Sequence, residues 1–529
     1  MHVEPVNEGA TLMNSEAIKQ KHHQVYESLE TDATYWASAP GVFFWGGEHA
    51  VLHGGPAICQ KVPLRVWIWF HRREPDGGPR IRLSSNPECH QVYQGWANRW
   101  QGGFSELGSE SEQRFTEWTK VQQAVAVVAS KAEENGLNDY YEVKSLHELS
   151  PGSGVNWSGA FSAALVACLL MATGDLTPDQ VRGWPAEEVS SEADLSGIVA
   201  FHRLAWQVES VFHGGAERAS GYGTLCSIVR TPGPVLYVTS ERWLSGAVRQ
   251  GANSDNAGAS EMPPVGMRAP ETPPFALQSL ASVGNPPPGD QVLQELPIVY
   301  GLVDSGLSKS TEERVESTES LGARLQELLE GQAGALLGVT ALAEVLKNNL
   351  RLGGIVDGSV KGRDLHHEQF LSLGTSALRV LGELLDLLQA HAQHHQQEVD
   401  KAISALADAV RRTQGGLVNL GLDRDLHGEA DEITHVAGAV YRWARSHQRT
   451  RTTAVKMTGG GGGGMILFVT DKRGDDVKST LQAALGAMRS DLENKRIGVY
   501  WTSAQDGLDY AGLQVHAEPE STPQPDPWR

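Results

Sequence analysis

Short apolar runs closed by glycine turns alternate along this chain with stretches whose leucines recur every three or four residues. The first pattern predicts strands and the second helices. Val42 to Trp45, Val62 to Phe70, Arg80 to Leu83 and Tyr140 to Lys144 read as strands, being rich in β-branched and aromatic residues. So do Leu225 to Val229, Ile298 to Asp304, Met465 to Thr470 and Ile497 to Trp501. Helices are expected over Glu117 to Ala132, Phe161 to Met171 and Ser196 to Phe212, over roughly 312–350 and 366–412, and in a segment ending near Trp443. Ser310 to Glu313 has the spacing of a capping box. Residues 1–34 are polar, and 86–116 read as a surface insertion. Residues 247–292, dense in Gly, Pro, Ser and Asn, read as a disordered insertion or linker, and a Pro-rich tail begins near Glu518.

A chain of 529 residues exceeds one ordinary domain, and its 40% hydrophobic content supports a real core. The formal charge of -20 argues against nonspecific nucleic-acid binding, which needs a basic surface. The first residues lack a basic and apolar leader, and no run of about 18 apolar residues occurs. The expectation is therefore a cytoplasmic enzyme or enzyme-like protein, without a nucleic-acid or membrane partner. The four cysteines show no metal-ligand spacing, and Cys168 and Cys226 are expected as buried free thiols. His391, His394 and His395 lie on a polar helix and read as solvated rather than ligating.

Candidate chemistry begins at Lys456-Met457-Thr458, where six glycines, Gly459 to Gly464, run straight into an apolar strand. Consecutive backbone N–H groups in glycine conformations make an anion-binding concavity; a flexible linker is the alternative. A second stretch, Ser150-Pro151-Gly152-Ser153-Gly154-Val155-Asn156-Trp157-Ser158-Gly159-Ala160, stands between a strand and a small-residue helix. That is a phosphate-site arrangement, or else a glycine turn capped by Ser158. A third runs from Ala39-Pro40-Gly41 through Gly47-Glu48-His49-Ala50-Val51-Leu52-His53-Gly54, with a Glu-His pair in its turn.

These three blocks, in this order, resemble the GHMP kinase family, nearest to its mevalonate kinase branch. Glu209 four residues before His213-Gly214, and Val303 to Thr311 after the linker, agree with it. The resemblance implies an α+β, two-domain fold. Its N-terminal half would be like ribosomal protein S5 domain 2, and its C-terminal half ferredoxin-like with an enlarged helical segment. The expected boundaries are an extension over 1–35, domains over 36–246 and 293–515 around the 247–292 insertion, and a disordered tail over 516–529.

The resemblance also implies phosphorylation of a small-molecule alcohol by ATP with Mg²⁺, most closely in isoprenoid precursor synthesis; a homodimer is left open. Gly152, Ser153, Gly154, Asn156 and Ser158 would bind the nucleotide, and Ser158 and Glu209 the metal. Glu48, His49, Thr458, Gly459, Gly460, Gly461 and Gly462 would line the acceptor side.

Two departures stand against catalysis. Val42 occupies the position of the family's lysine, and Gly223, after Ser220-Gly221-Tyr222, that of its catalytic aspartate. Glu217 and Asp304 are the candidate substitutes. The usual Gly-Ser-Ser centre of the phosphate loop reads Asn156-Trp157-Ser158, and Trp157 is expected to narrow the phosphate channel. The alternatives are a pseudokinase that binds nucleotide or metabolite without turnover, and a sugar kinase of the same family.

Overall fold

The computed structural model describes residues 19–20, 23–53, 57–84, 109–149, 151–182, 192–214, 219–229, 235–239, 275–279, 296–304, 365–419, 432–459 and 465–472, and parts of 477–517. Helix α1 (His23–Glu30) leads into β1 (Ala33–Gly46), a 3-10 turn (Ala50–His53), β2 (Ala57–Arg73) and β3 (Ile81–Leu83). Then follow α2 (Ser109–Glu134), β4 (Tyr140–His147), α3 (Trp157–Ala172), the short α4 (Pro178–Arg182), α5 (Glu192–His213) and α6 (Tyr222–Ile228). After β5 (Val235–Thr239), β6 (Phe275–Ser279) and β7 (Ile298–Asp304) come α7 (Leu365–Ala392), α8 (Gln396–Asn419) and α9 (Glu432–Ser446). The chain closes with β8 (Ala454–Met457), β9 (Met465–Asp471), β10 (Val499–Trp501) and β11 (Gln514–Ala517).

The described strands form two sheets, and with the helices they make an α+β fold. The seven-stranded sheet runs β11-β1-β2-β4-β3, with β5 on β2 and β6 on β5; the four-stranded sheet runs β10-β7-β9-β8. Helix α3 packs on β1 and β2 of the first sheet, with α5 and α6 against it. Its small apolar residues are buried on nearly every side, as expected of a helix without a polar face. Glu148, just after β4, is buried and held by Tyr26 Oη at 2.6 Å, the Arg65 amide at 2.7 Å and the Trp67 indole at 3.0 Å. Those bonds satisfy the carboxylate and fasten α1 to the sheet. In the second sheet, Arg411 of α8 donates to the carbonyls of Thr450, Arg451 and Thr453 just before β8.

Several expectations are corrected. Leu225 to Val229 is not a strand, because Leu225 to Ile228 lies in helix α6, which starts after the left-handed Gly221. The predicted helix over 366–412 is two, α7 and α8, broken where His394 takes a φ of 56°. Phe275–Ser279, inside the expected disordered insertion, pairs with β5. His516 and Ala517, expected in the tail, pair with Trp36 and Tyr35 on the edge of the first sheet. Cys226 is joined to Cys59 by a disulfide that ties α6 to β2, whereas Cys168 is buried and free. The Ser310–Glu313 capping box and the helix over 312–350 lie outside the described residues.

Candidate active site

Strand β1 carries the first block, and its pairing with β2 slips between Pro40 and Val42. A Cβ on Gly41 would stand 2.8 Å from the Val155 carbonyl, so only glycine lets the second block approach this closely. The Val42 amide donates to that carbonyl at 2.9 Å. From there the loop is shaped by left-handed residues at alternate positions: Gly152 at φ 70°, Gly154 at 75° and Asn156 at 57°. Asparagine is one of the few side chains that tolerate this region. Such alternation is the geometry of an anion-binding nest ahead of the α3 N-terminus.

The third block closes over the second. The Met465 amide donates to the Ser153 carbonyl at 2.7 Å. Thr458 Oγ1 donates to the Gly154 carbonyl at 3.3 Å and accepts from the Phe44 amide at 3.0 Å. Thr458, expected on the acceptor side, thus ties all three blocks together. Gly459 (φ 71°) lies against Gly154 so closely that a Cβ there would be 2.7 Å from its carbonyl oxygen. Ser153 Oγ is buried with no hydrogen-bond partner among the described residues. Gly460, Gly461 and Gly462 lie outside the described residues, as does Glu217.

Ser158 and Glu209 come together at His213. The Nε2 of His213 is 3.2 Å from Ser158 Oγ and 3.7 Å from Glu209 Oε1, while Thr224 Oγ1 donates to Glu209 Oε2 at 2.5 Å. His213 Nδ1 is buried without a hydrogen-bond partner among the described residues. One hydroxyl and one carboxylate are the hard oxygen donors that suit Mg²⁺, which normally keeps waters and phosphate oxygens as its other ligands. No cluster of three His, Cys, Asp or Glu side chains fit to hold a metal occurs among the described residues.

Glu48 follows β1 and meets Lys456 of β8. The ammonium is fully buried, bonded to the Glu48 carboxylate, to the Met457 carbonyl at 2.6 Å and to the Phe44 carbonyl at 3.3 Å. Burial pushes the Lys456 pKa below its usual value, and the Glu48 charge opposes that shift. Glu48 Oε2 lacks a hydrogen-bond partner among the described residues. His49 is buried beside it at the head of the 3-10 turn.

Val42 is wholly buried, so the lysine position holds an aliphatic side chain. The Asp304 backbone ends β7 opposite Met465, the first residue beyond the glycine run. Trp157 does not narrow the loop. Its indole donates to His147 Nδ1 at 2.7 Å and its ring packs on Phe161 and Phe212, so it is turned into the core. The carboxamide of Asn156, a residue expected at the nucleotide, lies against Gly223 of α6. Lys456, Thr224 and His213 were not singled out as site residues. Lys456 stands at the head of the glycine motif, and as a charge beside short apolar stretches it demands a partner once buried.

No protein-family model matches the chain. Mevalonate kinase of Mus musculus is 27% identical over 241 residues, 39% of this chain and 58% of that protein. The chain thus matches less than two thirds of that relative's length. Lactococcus lactis galactokinase, solved with galactose, superposes over 95% of this chain and 99% of its own, with a TM-score of 0.47 and 12% identity. For Streptococcus pneumoniae phosphomevalonate kinase, solved with phosphomevalonate and AMPPNP, the figures are 88%, 98%, 0.45 and 11%. For L. major mevalonate kinase, solved with R-mevalonate, they are 88%, 94%, 0.43 and 13%.

Proposed function

We propose that this divergent relative of the GHMP kinases binds ATP with Mg²⁺ and transfers the terminal phosphoryl group to a small-molecule alcohol of mevalonate type. The observation that supports the reading is the backbone-to-backbone junction of the two glycine loops. Gly459 lies on Gly154, at the α3 N-terminus that also presents Ser158. Amides of the Gly152–Gly154 loop would cradle the phosphates. Ser158 and Glu209 would hold Mg²⁺, whose chemistry is to neutralise the charge on the phosphate oxygens. Glu48, His49 and the glycine run after Thr458 would enclose the acceptor.

In the transfer, a bond forms between the acceptor oxygen and the γ-phosphorus while the bond from that phosphorus to the β–γ bridging oxygen breaks. The hydroxyl proton leaves to water, Asp304 or Glu217. With valine at 42 and glycine at 223, positioning and charge neutralisation carry the step. A missing general base costs about 10²- to 10⁴-fold in rate. The same two residues favour a second reading, a pseudokinase that binds nucleotide without turnover.

Calorimetric titration with Mg²⁺ and AMPPNP, then ADP release over mevalonate, its phosphates and simple sugars, separates the readings. Magnesium-dependent binding with acceptor-dependent ADP release is expected. Binding without release supports the pseudokinase, and absence of binding overturns both.

A further inference from the structure

Two departures from the family pattern occupy one place. The Asn156 carboxamide is wedged between two glycines, Gly159 on α3 and Gly223 on α6. A Cβ built on Gly223 would stand 2.1 Å from Asn156 Oδ1 and 2.3 Å from its Cγ. One built on Gly159 would stand 2.3 Å from Asn156 Nδ2 and 2.8 Å from Thr224 Oγ1. The volume that a side chain at 223 would fill therefore already holds a polar group, delivered from the phosphate loop. The left-handed backbone of Asn156 gives the carboxamide this direction.

We propose that Asn156 takes over the place of the residue at 223 as the polar side chain that meets the acceptor alcohol, binding the hydroxyl without accepting its proton. Asn156 is half-buried, and the one hydrogen bond of its carboxamide among the described residues runs from Nδ2 to Ser227 Oγ at 3.3 Å. That leaves the Oδ1 acceptor and a second N–H for a ligand. A carboxamide does not ionise near neutral pH, so the group orients the acceptor and leaves the proton to other carriers. The glycines at 159 and 223 are the partners this arrangement requires, which makes the three residues a matched set. The inference rests on reading the site as an alcohol phosphotransferase.

The test is Asn156→Asp, which is isosteric, suits the left-handed backbone and puts a carboxylate at the carboxamide's position. The expected result is Mg²⁺·AMPPNP binding that is retained but weakened by the added negative charge, with acceptor-dependent ADP release raised about 10²- to 10⁴-fold. The rate should also acquire an acid-side pH limb set by the new carboxylate, which a purely structural Asn156 would not give. A folded Asn156→Asp that binds AMPPNP but keeps the parent rate and pH profile overturns the proposal.

Gly223→Asp alone should melt well below the parent, and Asn156→Gly/Gly223→Asp should restore the melting temperature and gain the same activity. A Gly223→Asp protein that melts like the parent would show that the place is not shared, and would equally overturn the proposal. These melting curves need no nucleotide. If the parent chain binds no Mg²⁺·AMPPNP, the functional reading fails while the shared volume is still judged by the melts.

Discussion

Replacing Lys456 with methionine deletes the cation facing Glu48 while keeping most of the side-chain stem. In the folded protein Lys456 is 0% exposed and the Glu48 side chain 3%, so the carboxylate left behind has neither water nor a counter-charge. Its Oε1 loses the ammonium, and its Oε2 already lacks a hydrogen-bond partner among the described residues. Removing one member of a buried pair costs about 3–5 kcal/mol. Glu48→Gln should be milder, about 1–3 kcal/mol, because the ammonium keeps the Phe44 and Met457 carbonyls. The double variant buries no charge and should recover about 1–3 kcal/mol relative to the sum of the singles.

The same pair carries a pH signature. Burial holds the Lys456 pKa below 10.5, so the folded chain releases this proton before the unfolded chain does. Between those two pKa values the unfolded state binds the extra proton, and this group makes stability rise with pH. Lys456→Met should lose that rise. The assay is urea unfolding followed by tryptophan fluorescence, from neutral pH into the lysine range. A single-variant cost under about 1 kcal/mol, as for an exposed pair, would refute the reasoning. Strict additivity in the double variant would do the same.

Gly459→Ala places a Cβ 2.7 Å from the Gly154 carbonyl on a left-handed backbone, and should cost about 1–3 kcal/mol and weaken AMPPNP binding. Melting curves and calorimetry read both effects. Glu209→Gln should keep its bond from Thr224, and so the fold, while losing most of the Mg²⁺-dependent part of nucleotide affinity in titrations with and without the metal. The His71 pKa is pushed down to about 4, first by burial and then by the Lys144 ammonium. Between that value and 6.5 the unfolded chain binds more protons, so this group's contribution is lost as pH falls. Discounted for solvent screening it amounts to about 1–2 kcal/mol, and acid unfolding of His71→Gln should be flatter by that amount. Peptide mapping without reductant should recover the Cys59 and Cys226 peptides linked, and reduction should lower the melting temperature.

The glycine blocks were legible because their requirement is local. A left-handed φ at Gly152 or Gly154 disfavours most other residues through the backbone alone. What sequence left hidden was direction and partnership. Asn156 reads as a polar residue in a phosphate loop, but only its left-handed backbone turns the carboxamide to α6. Trp157 reads as an obstruction until His147 and Phe212 are seen to enclose it. Leu225 to Val229 has a strand's composition, and the Thr224–Glu209 bond with the Gly221 turn makes most of it helix instead. Strands β6 and β11 are five and four residues long in Pro-rich surroundings, so their pairing comes from tertiary contact rather than from a pattern of their own.

The position of β11 sets a timetable for the growing chain. Residues Tyr35 to Ser38 leave the ribosome about 480 residues before their partners on one side, Gln514 to Ala517. At about 5–20 residues per second, that interval is on the order of 20–100 s. For that time β1 offers unpaired amides and carbonyls, the template on which a second nascent chain could add a strand. The first sheet therefore cannot be completed ahead of the second, and the β1 edge needs shielding until Gln514 to Ala517 arrive.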